Sequence, residues 1–454
     1  MAVATTPIPA TEPARLVRRS SVAALTPMLC AMLALIGVGL ALVPQATWLD
    51  LPRPLIIWST AFGLLGLAIV CYHCAKAAGH SPWIAPVSLI GIYYFFRFGW
   101  GTLVTQYTEE YPFVHFPRYR WLFHQYGVWT YLTGGCQLIL VFGLGMTIGG
   151  FLALSNNRSI LPRFSWPFSE DTLKRRAIAY APIAAVINLA QFVLPVSIRA
   201  TVEVFGRFIY PLIMLGAYYL FQARDPKERA QWMTFLIASV ALTIPVGLVT
   251  GQVNGTVMPF VCIFLGYTVA KGSPPWKLIA IVMPIFLLFF LPFVSLYKWA
   301  GGWTHDIGQR LQTATKRYAD LGYRGRFELS LERSVMRFAG ANHPSVYSRF
   351  YPNVYSFESG KTFEIEAAAV VPRLLWPDKP AVIPELNLYP RKTGLITADG
   401  TSAVFDAASE YYVNFGMMGM FLLSIFHGYY WQALYNWLRL KVHNLVGLVL
   451  ILTL

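Results

Sequence analysis

The chain has 454 residues, 56% of them hydrophobic and only 13% charged, where globular proteins carry about 25% charged residues. Its net charge of +15 comes from basic residues scattered among short segments, with no basic stripe interleaved with aromatics, so composition points to a membrane protein and away from nucleic-acid binding. Cys30, Cys71, Cys74, Cys136 and Cys262 all fall in or at the ends of apolar runs and imply no disulfide framework.

At the N-terminus, Arg15, Arg18 and Arg19 precede the first apolar run. Many further runs follow and no small-residue cleavage site is evident, so this run reads as a retained helix rather than a signal peptide. Apolar runs long enough to cross a bilayer occupy 21 to 44, 55 to 75, 82 to 105, 126 to 154, 177 to 198, 201 to 222, 232 to 250, 256 to 271, 277 to 297 and 413 to 437. An eleventh opens near 444 and is expected to continue past Leu454. The predicted fold class is an all-α polytopic membrane protein of ten or eleven transmembrane helices with one large external loop. Residues 1 to 297 hold nine helices, 298 to 412 the loop, and 413 to 454 the C-terminal helices.

Within the second run, Cys71-Tyr-His73-Cys74 has metal-like spacing, but no second Cys or His pair lies near it in sequence, and small apolar packing is the preferred reading. Arg97, between Phe96 and Phe98 in the third run, suits an internal ion pair at least as well as a substrate contact.

Lysine and arginine near helix ends mark the cytoplasmic side. Arg15, Arg18, Arg19, Lys76, the basic 155 to 176 loop, Arg224, Lys227, Arg229, Lys271, Lys277, Arg439 and Lys441 all agree on one orientation, with the N-terminus inside. The same alternation puts 298 to 412 outside. This loop gathers twelve of the 21 acidic residues and nine arginines, a concentration suited to chemistry on a polar substrate. Helices are predicted over about 305 to 320 and 327 to 341, the second carrying Arg333 and Arg337 on one face. Three prolines break the segment from Val371 to Pro380. Proline would hold Arg373 and Lys379 in place, either as a preorganised anion site or as a rigid interfacial loop meeting anionic lipid, with Trp376 among the headgroups.

The run Val371-Pro-Arg373-Leu-Leu-Trp376-Pro-Asp-Lys379-Pro380, followed by Glu410-Tyr411-Tyr412-Val-Asn414-Phe-Gly416-Met-Met-Gly419, resembles the O-antigen polymerase (Wzy-type) family and its oligosaccharide repeat unit polymerases. The layout of spans and loop extends the likeness over most of the chain, and its specific part is confined to about 370 to 420. The resemblance implies a GT-C-like bundle and a glycosyltransferase without metal or other cofactor. Such an enzyme polymerises undecaprenyl-diphosphate-linked oligosaccharide units into O-antigen or exopolysaccharide at the periplasmic face of the bacterial inner membrane. Implied partners are lipid-linked donor and acceptor, membrane lipid and a chain-length regulator, with no nucleic acid.

On that reading the departing lipid diphosphate accumulates negative charge, and arginine or lysine at the membrane surface stabilises it. Arg373, Arg337, Arg333, Arg199, Arg207 and Lys379 are the candidates. Arg199 and Arg207 flank an outer turn against the general bias of arginine, with snorkelling or a structural pair as the alternative. Glu410 is the candidate acceptor-binding residue or base, Asp406 a second catalytic acid and Tyr411 a substrate contact. Capping of the following helix is the plain alternative for both acids, and close helix packing accounts for Gly416 and Gly419.

Two features depart from the relatives. No His precedes the Gly416/Gly419 pair in the pattern of the similar O-antigen ligases, and Gly251-Gln-Val-Asn-Gly255 stands where relatives carry Gly-Ser-Arg. A flippase of lipid-linked sugars and a ligase of finished glycan are the competing functions.

Overall fold

The computed structural model describes residues 12–110, 130–155, 170–190, 206–250, 253–300, 307–338, 342–371, 376, 378, 388–393 and 406–441, and among these the regular structure is helical, with no strand. Among the described residues, four stretches are long and apolar enough to cross a membrane: Arg53–Ala77, Pro86–Gln106, Leu132–Ser155 and Trp276–Tyr297. Large apolar side chains also point outward, Leu35 at 77% exposure and Ile281 at 62%, as a lipid-facing surface requires. The chain is a multi-pass membrane protein.

It forms two compact units. The first combines residues up to Arg158 with Val335–Ala433. It contains α1 (Glu12–Leu42), α2 (Gln45–Leu49), α3 (Arg53–Ala77), α4 (Pro86–Tyr94), a π-helical turn (Phe95–Gly99), α5 (Trp100–Glu110) and α6 (Leu132–Ser155). Buried along almost its whole length, α6 is the core of this unit. Its glycines let neighbouring backbones approach: a Cβ at Gly149 would meet the Ile425 carbonyl, and one at Gly145 the Ser424 hydroxyl. Gly428 in turn lies against the Met146 carbonyl, so small residues on both helices form the crossing.

Helix ends in this unit are closed by side chains. Gln137 Nε2 donates to the Leu40 and Val43 carbonyls, both at 2.8 Å, satisfying orphan acceptors where α1 ends. The Val87 amide, at the start of α4, donates to Gln432 Oε1 at 3.0 Å. Cys71 is fully buried with its thiol 3.8 Å from Thr147 Oγ1, a packing position.

The second unit, Ser159–Ser334 with Leu434–Leu454, holds α7 (Glu170–Ala190), α8 (Ile209–Gln222), α9 (Pro226–Thr250), α10 (Val253–Lys271) and α11 (Trp276–Ile285). A π turn (Phe286–Phe290) leads from α11 to α12 (Leu291–Ala300), followed by α13 (Ile307–Asp320) and α14 (Gly322–Phe338), whose last residues belong to the first unit. Trp232 stacks on Tyr219 at 4.9 Å, and Lys174, paired with Glu228 at 2.7 Å, covers the same Tyr219 ring.

Two helices begin earlier than their sequence pattern predicts. α14 starts at Gly322, whose φ of 59° turns the chain out of α13, and an Arg324 to Glu328 ion pair of 2.9 Å supports its first turns. The helix expected over 413 to 437 is α18 (Ala407–Lys441). Its first turns are too polar to register as an apolar run.

Candidate functional site

The site is built around the start of α18. Asp406 accepts from the Ser409 amide at 2.9 Å and from the Ser409 hydroxyl at 2.8 Å, an N-cap arrangement that fixes where the helix begins. His343, on α15 (Asn342–Phe350), places Nδ1 3.9 Å from Asp406 Oδ2, the oxygen that accepts the Ser409 hydroxyl.

Ten residues on, the helix breaks. Gly416 has φ 68° and ψ −170°, a conformation essentially restricted to glycine. The expectation that packing alone accounts for Gly416 is therefore corrected: this glycine serves the backbone. The break releases carbonyls that a continuous helix would occupy. Val413 O accepts from the Glu358 amide and Asn414 O from the Ser359 amide, both at 3.0 Å. Asn414 Oδ1 takes the Gly360 amide at 3.0 Å. The segment entering α16 (Lys361–Val370) thus closes the open helix end.

The arm Ala407–Phe415 folds back on the remainder of α18. Tyr411 Oη and His427 Nδ1 lie 2.7 Å apart, whereas sixteen residues of straight helix would separate their Cα atoms by about 24 Å. Phe363 of α16 lies on Tyr411 and Phe415 at 5.6 and 5.8 Å, and Phe142 of α6 packs against Tyr411 and His427. On the other side of the arm, the Tyr412 hydroxyl donates to Tyr351 O at 2.6 Å.

Glu410 lies between these contacts at 7% exposure. Thr362 Oγ1 donates to its Oε1 at 2.7 Å, and Asn414 Nδ2 donates to Thr362 Oγ1 at 2.7 Å and to the Glu410 carbonyl at 2.8 Å. Burial pushes the Glu410 carboxyl up to about 7. The Thr362 hydrogen bond pulls it down, while the negative charges of Glu366 and Asp406 add to the rise. Burial also raises Glu366. A hydrogen-bonded carboxyl that changes charge near neutrality is suited to taking up and releasing a proton.

A second network anchors the segment before α16. Glu358 accepts from Lys392 at 2.9 Å and from the Tyr351 hydroxyl at 3.2 Å, and Tyr355 donates to the Lys392 carbonyl at 2.9 Å. Lys392 ends α17 (Leu388–Lys392). Beside the arm, a cavity of about 420 Å³ is lined by Gln45, Tyr131, Ser348, Asn353, Phe357, Tyr412 and Met417 among others. It lies where α1 ends, α6 begins and α18 breaks.

Of the residues predicted from sequence, Glu410 and Tyr411 share the arm, and Asp406 caps its start. Arg333 and Arg337 lie on α14. Arg207 is an exposed residue of the second unit whose carbonyl accepts from the Tyr210 amide at 3.1 Å. Arg199, Arg373 and Lys379 lie outside the described residues. Arg97 is half-buried with its guanidinium 5.7 Å from the Phe98 ring centre. Sequence reasoning missed Thr362, Glu366 and His427. The only signal for His427 was a titratable side chain inside an apolar run, and Thr362 carried none.

Among the described residues no three His, Cys, Asp or Glu side chains stand close enough to hold a metal ion. No family model, curated protein or solved structure matches this chain.

Proposed function

We propose that the chain is a GT-C-like glycosyltransferase that joins undecaprenyl-diphosphate-linked oligosaccharide units into a longer glycan at the periplasmic face of a bacterial inner membrane. The observation that carries this reading is Glu410, a buried carboxyl on the arm that accepts a hydrogen bond from Thr362 and is pushed up to about 7 by burial. The basic-loop pattern assigns this end of the bundle to the outside.

In the reaction, an acceptor hydroxyl attacks the anomeric carbon of the donor. The carbon–oxygen bond to the diphosphate breaks, the lipid diphosphate leaves with the electron pair, and Glu410 takes the hydroxyl proton. Asp406 holds the arm at its first turn, and Tyr411 borders the bound sugar. Arg373, Lys379 and Arg337 supply the cations that neutralise the leaving group. A chain-length regulator is the protein partner this chemistry invites.

A second reading is a transporter of lipid-linked sugars. The hydrogen-bonded Tyr411 and His427 beside Phe142 of a spanning helix favour it, because polar pairs within a bundle often mark a path. Incubating the purified protein with lipid-linked repeat units alone separates the two. Polymerisation gives longer lipid-linked chains, whereas transport moves units across a vesicle membrane unchanged and overturns the enzymatic reading.

A further inference from the structure

We propose that the hairpin of α13 and α14 lies in the headgroup layer and docks on anionic phospholipid, an attachment independent of the enzymatic reading. The first observation is where the hairpin sits. Ala314 is buried against Leu296 and Tyr297, the Tyr318 ring meets Phe293 edge-on at 5.8 Å, and the Ser330 hydroxyl donates to the Leu287 carbonyl. All four contacted residues belong to the membrane-crossing stretch Trp276–Tyr297. From Leu287 to Tyr297 is about 15 Å of helix. The hairpin therefore packs against the side of the span near its end instead of standing beyond it, which brings its open side to the membrane boundary.

The second observation is what the hairpin presents on its open side. Tyr323 is 82% exposed, Phe327 54% and Leu311 50%. Cations accompany them: Lys316 and Arg317 are exposed, and the Arg324 side chain is 90% exposed while its Nε pairs with Glu328 at 2.9 Å. Arg326 fixes the turn by donating from Nε to the Tyr318 carbonyl at 2.9 Å, with its guanidinium over the Tyr318 and Tyr323 rings at 4.1 and 5.5 Å. Water leaves the aromatic side chains unburied, and hydrocarbon leaves the cations unsolvated. The headgroup boundary accommodates both, with rings at the acyl edge and long basic side chains reaching phosphate. Each cation near such a surface gains from its negative potential, which selects anionic over zwitterionic lipid.

The test uses the full chain with Cys74 replaced by Ser, since the other four cysteines are buried, and a nitroxide at Tyr323→Cys. The protein is reconstituted in vesicles of phosphatidylcholine with or without phosphatidylglycerol. The expected result is a ratio of oxygen to nickel-chelate collision rates above unity, higher with phosphatidylglycerol. Replacing Lys316, Arg317 and Arg324 by Gln should remove that lipid difference while circular dichroism and elution volume stay unchanged. Three results overturn the proposal: a ratio below unity, which places Tyr323 in water; low rates with both reagents, which places it against protein; or equal ratios in the two lipids.

Discussion

Tyr411 and His427 belong to one helical stretch, sixteen positions apart, and their side chains are hydrogen-bonded at 2.7 Å. That contact requires the chain to reverse, and the reversed arm is held by Thr362 at Glu410 and by residues 357 to 360 at Tyr412, Val413 and Asn414. The pair should therefore be energetically coupled. In a double-mutant cycle of Tyr411→Phe and His427→Phe, a coupling of about 1 kcal/mol is expected in denaturant titrations of the detergent-solubilised protein. Full additivity would show that the contact does not hold the arm.

Gly416→Ala places a Cβ 3.1 Å from the Phe357 ring and forces alanine to a φ of 68°. A loss of about 1–3 kcal/mol is expected, read as a lowered melting temperature. Adding Phe357→Ala removes the steric contact and leaves the dihedral strain, so the double variant should stay well below wild type.

Gly149→Ala drives a methyl group into the Ile425 carbonyl and the Tyr429 amide, which are backbone atoms and cannot rotate away. Loss of monodisperse protein in size-exclusion chromatography is the expected outcome. Gly39→Ala, at a position open on its Cβ side, should behave as wild type.

Glu410 also has a stability signature. Its carboxyl is raised, so between the ordinary carboxylate range and about 7 the folded state holds a proton that the unfolded chain has released. Folding stability consequently falls as pH rises through that window, by on the order of 3 kcal/mol at most. Glu410→Gln cannot ionise, and melting curves at pH 8 should show it more stable than wild type, with the difference vanishing at low pH.

Much of the helix layout was legible from hydropathy. The run predicted over 55 to 75 is the helix Arg53–Ala77, and that over 277 to 297 lies within Trp276–Ala300 apart from its local π turn. These elements follow from local composition. The break in α18 was not legible, although Gly416 stood out, because its backbone conformation is tied to amides of residues 358 to 360, more than fifty positions away. Glu410 and Asp406 were visible as acids at a helix start. Only the fold separates them: Asp406 spends both oxygens capping Ser409, while Glu410 is buried and bonded to Thr362, 48 positions distant.

The most direct measurement is the initial rate of lipid-linked glycan elongation as a function of pH, for wild type and Glu410→Gln. Proton uptake by Glu410 requires its ionised form, so the wild-type rate should rise with pH and level off above about 7. The Gln variant should be slower by about 10²- to 10⁴-fold with no such inflection. Elongation by Glu410→Gln at the wild-type rate, with the wild-type pH profile, would contradict the account.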